Sequence, residues 1–223
     1  MPVSHQIVPS RGFLVSDFDG TMTRRDFYQL FRKRFLPSDA PDYWAEYRAG
    51  RLTHFEALRA IFASAAPGET ALLALTDEMG LDPDLATDVA ALRAAGWGVR
   101  VVSAGCAWYI RHLLGRAGVE LEVHANLGRI EGKRLLMELP QGSPFLSIET
   151  GVDKAAVVRA SLDTGREVAF AGDGFPDLPA ALLVPEPLRF ARGDLAAALS
   201  SRGERYRPFE RWADVARTVL GRV

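Results

Sequence analysis

The sequence predicts an α/β fold, a doubly wound parallel sheet with an inserted all-helical cap. Apolar runs of strand length alternate with helical segments over residues 81–223, as in parallel sheets that are flanked by helices. One more such strand precedes residue 24. Residues 24–80 instead show helical periodicity without a strand pattern. We therefore expect residues 1–23 and 81–223 to form the α/β core and residues 24–80 to form the cap.

The first predicted elements are a strand followed by three helices. Residues 13–16 are a short apolar run that predicts a buried strand. Residues 26–36 then place their apolar side chains on one helical face. Thr53 and Glu56 have the spacing of a capping box, which predicts a second helix, and residues 69–79 predict another. A helical insertion directly after the first strand would lie over the carboxyl edge of the sheet, where ligands bind in such folds.

The rest of the chain returns to alternation of helix and strand. Glycines stop two of the predicted helices, at Gly96 and Gly118. The predicted helices cover residues 82–95, a segment ending at 117, 153–162, 194–202 and 209–220. The predicted strands cover residues 98–102, 167–171 and 188–191, with a further pair within 119–138 around a turn at Glu131 and Gly132.

The composition is that of an ordinary globular protein. The 223 residues are 48% hydrophobic and carry a net charge of -1, which argues against nucleic acid or an anionic membrane as partner. We see neither a membrane-spanning run nor, at residues 1–13, a secretory signal. One cysteine, Cys106, leaves no disulfide framework and no cysteine-based zinc site. We expect a cytoplasmic monomer or homodimer that acts on a small molecule.

Polar side chains follow predicted strands at the points where those strands end. Asp17 and Asp19 follow the first strand, Ser103 follows the next strand of the core, and Asp173 and Asp177 follow a later one. Because the carboxyl ends of parallel strands meet at one edge of the sheet, these side chains can converge. Clustered carboxylates repel one another unless a cation joins them, and oxygen-rich clusters suit Mg²⁺. We therefore expect Mg²⁺ at this edge.

Lys154 begins a predicted helix and is one of only three lysines, against 24 arginines. A chain that nearly always uses arginine can keep lysine where a compact point charge is needed. Each residue also has a purely local reading. Asp19 and Gly20 suit a tight turn, Ser103 suits a helix cap, and Lys154 suits an exposed helical position.

The strand-end residues belong to four ordered motifs. The stretches "DFDGTMT", "VVSAG", "DK" and "GDGFPD" resemble, in that order, the four motifs of the haloacid dehalogenase-like phosphohydrolases. The helical insertion resembles the C1 cap of their phosphoserine-phosphatase-like subclass, and "ANLGRIEGK" resembles a hairpin of that subclass. The resemblance covers nearly the whole chain and implies the Rossmann-like core of this family.

The resemblance also implies a mechanism. Asp17 would attack phosphorus to give an aspartyl-phosphate, and Asp19 would be the general acid and then the general base. Lys154 would offset negative charge beside the phosphate. The implied Mg²⁺ ligands are Asp17, the carbonyl of Asp19, Asp173 and Asp177, the last directly or through water.

The phosphoryl oxygens of the substrate would be held by a second group of residues. The resemblance assigns this role to Gly20, Thr21, Ser103 and Ala104. One position departs from the family pattern, because Pro176 stands where Asn or Thr often precedes the last aspartate. Proline lacks an N–H but suits a first helical turn.

Two likenesses suggest different substrates. Phosphoserine phosphatases carry an acidic residue after the first motif, a place that Asp26 nearly fills, and an arginine in the cap. Here Ile61 stands at that arginine's place, with Arg59 on the preceding turn. The stretches "DFDGTMTRRD", "LRAIFASAAP" and "LRFARGDLAAAL" are closer to the enol-phosphate phosphatases of methionine salvage, which act on 2-hydroxy-3-keto-5-methylthiopentenyl-1-phosphate.

That substrate has an apolar thioether tail. Phe27, Tyr28, Phe55 and Phe62 could line a pocket for it, although aromatic residues at helical spacing also serve as cap core. Two function classes remain open at this point. One is a Mg²⁺-dependent phosphomonoesterase, with phosphoserine or another small metabolite as alternative substrates. The other is a non-catalytic regulatory module that is phosphorylated on Asp17, which would have no use for a helical cap.

Overall fold

A computed structural model of the protein describes residues 10–221. The expectation that no secretory signal opens the chain falls mainly on residues 1–9, which lie outside the described part. Between residues 10 and 221, the helices are all too short or too polar to cross a membrane.

The described residues form nine strands and ten α-helices. The strands are β1 (Gly12–Ser16), β2 (Trp97–Cys106), β3 (Glu122–Glu131), β4 (Arg134–Glu138), β5 (Leu146–Ser147), β6 (Gly151–Val152), β7 (Glu167–Gly172), β8 (Arg189–Ala191) and β9 (Arg207–Pro208). The helices are α1 (Phe27–Phe35), α2 (Tyr43–Arg48), α3 (His54–Ala63), α4 (Glu69–Asp77), α5 (Leu85–Ala94), α6 (Ala107–Arg116), α7 (Lys154–Leu162), α8 (Leu178–Ala181), α9 (Gly193–Ser201) and α10 (Trp212–Val219).

Seven strands form one sheet, in the order β4-β3-β2-β1-β7-β8-β9. Strand β1 is central and pairs in parallel with β2 on one side and β7 on the other. Only the β3–β4 hairpin is antiparallel within this sheet, and β5 and β6 form a separate two-stranded ribbon among the described residues. Helices pack on both faces, so the predicted doubly wound α/β fold is confirmed.

The elements that the sequence did not predict are short. Strands β5, β6 and β9 have two residues each, which is less than one period of alternation. Helix α2 has six residues, and the side chain of Asp42 caps it by accepting from the backbone N–H of Trp44 and Ala45. Strand β2 runs past the predicted end at residue 102, and its register with β3 shifts between Val102 and Cys106.

The four helices α1–α4 form an insertion whose two ends meet. Thr23 and Leu81 form an antiparallel bridge, and the N–H of Asp82 donates to the carbonyl of Met22 at 2.9 Å. The chain therefore leaves the core and returns to it at one point, directly after β1. This connection holds the helical insertion over the carboxyl edge of the sheet.

Two backbone hydrogen bonds seat the far side of the insertion on the core. The N–H of Phe55 donates to the carbonyl of Glu149 at 2.8 Å, and the N–H of Gly68 donates to the carbonyl of Lys133 at 3.0 Å. Helix α3 packs on β4 next to these bonds. The cap is therefore fixed at both its near and its far side.

The capping box that the sequence predicts at the start of α3 is present. Thr53 accepts from the N–H of Glu56 at 3.1 Å, and Glu56 accepts from the N–H of Thr53 at 2.9 Å. We expect Thr53→Ala to lower the free energy of unfolding by about 1 kcal/mol, since one end of the box is lost. Urea unfolding measures the change. Thr70→Ala, an exposed position of α4, is the matched control, and an equal loss in both variants would contradict the prediction.

Candidate active site

The first strand ends at a buried ion pair. Asp17 follows β1 and is 4% exposed. Strand β1 lies between β2 and β7, where the order of the strands in the sheet reverses. The Nζ of Lys154 lies 2.6 Å from Oδ1 of Asp17 and 2.6 Å from Oδ1 of Asp177. Lys154 reaches this place because Asp153 caps the start of α7, accepting from the N–H of Ala156 at 2.9 Å.

Three carboxylates surround this lysine. Asp17, Asp173 and Asp177 each offer an oxygen within 4.8 Å of the other two. Asp173 follows β7, and Asp177 ends a one-turn 3-10 helix in which Pro176 stands in the first turn. Oδ2 of Asp177 accepts from the backbone N–H of Asp173 at 3.0 Å and of Gly174 at 2.9 Å. The proline therefore leaves the hydrogen bonds that hold Asp177 intact.

One lysine does not balance three carboxylates, of which Asp17 and Asp177 are buried and Asp173 is half-buried. Burial raises the pKa of Asp17 to about 6, although the charge of Lys154 opposes the rise. Burial, with the charges of Asp17 and Asp177, raises the pKa of Asp173 to about 9. Burial by itself would lower the pKa of Lys154. The negative charges of Asp17 and Asp177 outweigh this effect, so the pKa of the lysine is raised. The cluster thus has excess negative charge and several carboxylate oxygens, which is the donor set that Mg²⁺ prefers.

Asp19 points away from this cluster. Its Oδ1 accepts from the backbone N–H of Phe27 at 3.0 Å, and its Oδ2 accepts from the hydroxyl of Tyr109 at 2.7 Å. Burial raises the pKa of Asp19 to about 6, with the Phe27 N–H opposing and the charge of Asp17 adding to the rise. A carboxyl group with such a pKa can exchange a proton near neutral pH. The implied metal contact of its backbone carbonyl stays a prediction.

The turn after β1 is closely fitted to Asp173. Gly20 has a φ of +71°, and a Cβ there would lie 2.1 Å from Oδ2 of Asp173. The hydroxyl of Thr21 donates at 3.3 Å to Oδ2 of Asp17 and at 3.3 Å to Oδ1 of Asp173. Only glycine allows this approach, so the sequence Gly20-Thr21 brings backbone and hydroxyl groups against both carboxylates.

Two of the predicted phosphate contacts come from β2. Ser103 and Ala104 both line the cavity beside Asp17. The hydroxyl oxygen of Ser103 accepts from the N–H of Gly105 at 2.9 Å, which orients it. Buried Asn126 holds the adjacent backbone, because its Nδ2 donates to the carbonyls of Ala104 at 2.8 Å and Thr150 at 3.1 Å.

Arg192 also stabilises the site, and the sequence analysis did not identify it. Its guanidinium donates from Nε to the carbonyl of Gly20 at 2.5 Å and from Nη2 to the carbonyl of Thr23 at 3.0 Å. It also lies over the ring of Phe209, 5.3 Å from the centroid. The signal was its position directly after β8, at the same sheet edge as the other strand-end residues. Arg192 thus fastens the turn that follows Asp17.

A cavity of about 750 Å³ lies between the cap and these residues. The core side contributes the acidic cluster, Lys154, Ser103 and the exposed ring of Phe175. The cap side is rich in rings and also carries charge; it comprises Asp26, Tyr28, Gln29, Arg32, Asp42, Trp44, Tyr47, Arg48, His54 and Leu58. The cavity is large enough for a small phosphorylated metabolite.

The cap residues that the sequence suggested divide into two groups. Asp26 and Tyr28 line the cavity, and burial raises the pKa of Asp26 to about 7, with the charge of Asp19 adding to it. Phe27, Phe55 and Phe62 are instead buried in the cap core, and Phe27 contacts Asp19 through its backbone N–H. Helical spacing alone cannot separate these groups, since α1 and α3 bury most of their aromatic side chains.

Other rings of the cavity wall come from the unpredicted helix α2 and the start of α3. Trp44 and Tyr47 contact His54, with ring centroids 5.0 and 5.7 Å from it. Burial lowers the pKa of His54 to about 4, so the ring is neutral at physiological pH. Arg59 points away and lies over the ring of Phe55, and Cys106 is a buried thiol whose pKa burial raises to about 12.

The chain resembles known proteins in sequence and in fold. The family model described as haloacid dehalogenase-like hydrolase matches residues 14–182. None of the curated proteins matches the sequence. A HAD family hydrolase from Salmonella enterica subsp. enterica serovar Typhi has a similar structure, with a TM-score of 0.67 and 18% identity over 91% of this chain and 68% of that chain.

Two further solved structures are similar. One is a phospho-aspartyl intermediate analogue of phosphoserine phosphatase, with a TM-score of 0.65 and 13% identity over 92% of this chain and 97% of that chain. The other is a probable phosphoserine phosphatase from Vibrio cholerae, with a TM-score of 0.66 and 17% identity over 97% of this chain and 68% of that chain. At such identities the likeness shows the fold alone.

The raised pKa of Asp173 predicts how the metal-free protein responds to pH. Between its ordinary pKa of 3.8 and about 9, the folded state holds a proton that the unfolded state lacks, so stability falls as pH rises. We expect Asp173→Asn to raise the Tm in chelator by several degrees, with the gain larger at pH 8 than at pH 5. About 1 kcal/mol corresponds to roughly 2–4 °C in a protein of this size.

Added Mg²⁺ should reverse this order, since it stabilises the wild type and has less to bind in Asp173→Asn. Thermal melts with and without Mg²⁺ measure both effects. Asp163→Asn, at an exposed helix end, is the matched control and should melt like the wild type. If the Tm of the wild type in chelator at pH 8 is higher than that of Asp173→Asn, the prediction is contradicted.

Proposed function

The chain belongs to the haloacid dehalogenase-like hydrolase family, and we propose that it is a Mg²⁺-dependent phosphatase that hydrolyses a small phosphomonoester through an aspartyl-phosphate intermediate. The observation that carries this proposal is the pairing of two carboxylates with different surroundings. Asp17 lies beside Lys154 in a cluster of carboxylates that could hold a metal ion. Asp19, in the same cavity, accepts hydrogen bonds from two uncharged donors, the N–H of Phe27 and the hydroxyl of Tyr109. One is suited to nucleophilic attack and the other to proton transfer.

In the first half-reaction, an oxygen of Asp17 attacks the phosphorus and the bond from phosphorus to the leaving oxygen breaks. Asp19 gives its proton to that oxygen, so a neutral alcohol leaves. Lys154, within 2.6 Å of Asp17, offsets the charge of the carboxylate and of the phosphoryl group that approaches it. The side chain of Ser103 and the backbone of Gly20 and Thr21 would hold phosphoryl oxygens.

In the second half-reaction, a water molecule attacks the aspartyl-phosphate. Asp19, now ionised, accepts the proton of the water, and the bond between phosphorus and Asp17 breaks to release phosphate. When bound, Mg²⁺ supplies positive charge that stabilises the phosphoryl oxygens during transfer. Asp17, Asp173 and Asp177 would hold it, together with the backbone carbonyl of Asp19. The cap limits the access of bulk water to this space.

For the substrate we propose 2-hydroxy-3-keto-5-methylthiopentenyl-1-phosphate or a similar metabolite with an apolar tail. The support is the cap side of the cavity, where Tyr28, Trp44, Tyr47 and Leu58 give an apolar and aromatic wall. A thioether makes favourable contacts with aromatic rings. Tyr28 is the one residue of this wall that the sequence suggested, and Trp44, Tyr47 and Leu58 stand in place of the three phenylalanines.

Phosphoserine is the second candidate substrate. Asp26 lines the cavity near Asp19 and could pair with an ammonium group, and Arg32 of α1 could pair with a carboxylate. Similar solved structures carry the name phosphoserine phosphatase. A non-catalytic phospho-aspartate module is less well supported, because such a module would need neither the cap over Asp17 nor the held carboxyl group of Asp19.

The purified protein should hydrolyse p-nitrophenyl phosphate in the presence of Mg²⁺ and lose this activity in chelator. Asp17→Asn should lower kcat by at least about 10³-fold, because amide nitrogen is a poor nucleophile. Release of p-nitrophenol measures the rate. Asp163→Asn should keep wild-type activity, and an Asp17→Asn variant as active as the wild type would refute the proposal.

A panel of phosphorylated metabolites tests the substrate. We expect the methylthio enol phosphate to have a higher kcat/KM than phosphoserine, and Trp44→Ala to raise its KM about tenfold or more, since an aromatic contact is lost. The kcat for p-nitrophenyl phosphate, which does not need the cap wall, should change less than threefold. Phosphoserine as the best substrate would contradict this part of the proposal and leave the phosphatase intact.

A further inference from the structure

The two oxygens of Asp19 are held by two different parts of the protein. The backbone N–H of Phe27, at the start of the cap, donates to Oδ1, and the hydroxyl of Tyr109, on core helix α6, donates to Oδ2. Each carboxyl oxygen has two lone-pair positions, so one position on each remains for the cavity. The carboxyl group cannot rotate without breaking one of these bonds.

The chain leaves space for the contact between Tyr109 and Asp19. A Cβ at Gly105 would lie 1.9 Å from the hydroxyl oxygen of Tyr109 and 2.7 Å from Oδ2 of Asp19. Gly105 is not among the glycines with positive φ, so its backbone does not require glycine. The missing side chain therefore serves the close approach of the phenol to the carboxyl group.

The phenol itself has little freedom. Tyr109 is 1% exposed, and its ring stacks on Phe27 with centroids 4.3 Å apart and planes 18° apart. Its hydroxyl lies 2.7 Å from Oδ2 of Asp19, and a phenol hydroxyl facing a carboxylate oxygen is the donor of the pair. Phe27 therefore contributes twice, with its N–H on Asp19 and its ring on the tyrosine that holds the other oxygen.

From these contacts we propose that Tyr109 is a positioning residue for proton transfer to the leaving group. It aims the free lone-pair position of Asp19 Oδ2 into the cavity, where the leaving oxygen receives the proton as the bond from that oxygen to phosphorus breaks. Tyr109 itself gives up no proton. The inference depends on the proposed function, because it assigns Asp19 the role of the acid.

The test compares leaving groups in Tyr109→Phe, which keeps the stacked ring and removes the hydroxyl. An alkyl phosphate such as glycerol 2-phosphate needs a proton on its leaving oxygen, whereas 2,4-dinitrophenyl phosphate releases a stable anion. The constant kcat/KM reports the steps up to departure of the leaving group. We expect it to fall about tenfold for the alkyl phosphate, the usual effect of one lost hydrogen bond, and less than twofold for the aryl phosphate.

The ratio of the two kcat/KM values is measured on one preparation, so a misfolded fraction cancels. Tyr206→Phe removes a hydroxyl that contacts Ser200, away from the cavity, and should leave the ratio unchanged. Gly105→Ala should lower the ratio as Tyr109→Phe does, because its methyl group displaces the phenol, and it replaces that variant if Tyr109→Phe does not fold.

An unchanged ratio in Tyr109→Phe, including an equal loss on both substrates, would overturn the inference, because a merely structural role lowers both rates together. The proposed function fails separately, through a wild-type protein that hydrolyses neither substrate with Mg²⁺ present. A lowered ratio in both Tyr109→Phe and Gly105→Ala, with the wild-type ratio in Tyr206→Phe, is the result we expect.

Discussion

The contact of Lys154 with Asp17 and Asp177 is the constraint on which the rest of the site depends. A buried carboxylate is stable only when a cation or several donors face it, and here one ammonium group faces two of them at 2.6 Å. That contact fixes the start of α7 against the ends of β1 and β7. With β1, β7 and α7 brought together in this way, Gly20 lies against Asp173, and Arg192 donates a hydrogen bond to the carbonyl of Gly20.

Much of this arrangement was predictable because it follows from topology. Asp17, Asp173 and Lys154 each stand at a predictable place, the end of a strand or the start of a helix, and parallel strands bring such places to one edge. The sequence analysis predicted a parallel sheet but not the order of its strands, which depends on how distant segments pair. Local patterns thus predicted the fold class and the convergence of these side chains, whereas their proposed roles rest on the resemblance to a family.

The residues around the carboxylate cluster were less predictable from the sequence, for physical reasons. Tyr109 lies on an apolar face of α6, and its hydroxyl meets Asp19 only because Gly105 leaves space, a property of three-dimensional packing. Trp44 lies on a six-residue helix that is too short for periodicity to reveal. Phe27 was expected at the substrate and is buried instead, because the apolar face of α1 packs inside the cap.

The bridge between Thr23 and Leu81 has a consequence for how this chain can change. Because the insertion begins and ends at neighbouring points, its length affects the stability of the core in one way through the entropy of closing a single loop. That entropy grows slowly, by about 0.6 kcal/mol for each doubling of loop length. Changes in cap length that keep the contacts of the cap with the core, such as the stacking of Phe27 on Tyr109, therefore cost the core little. The shape of the cavity can change in this way during evolution while the cluster of carboxylates stays as it is.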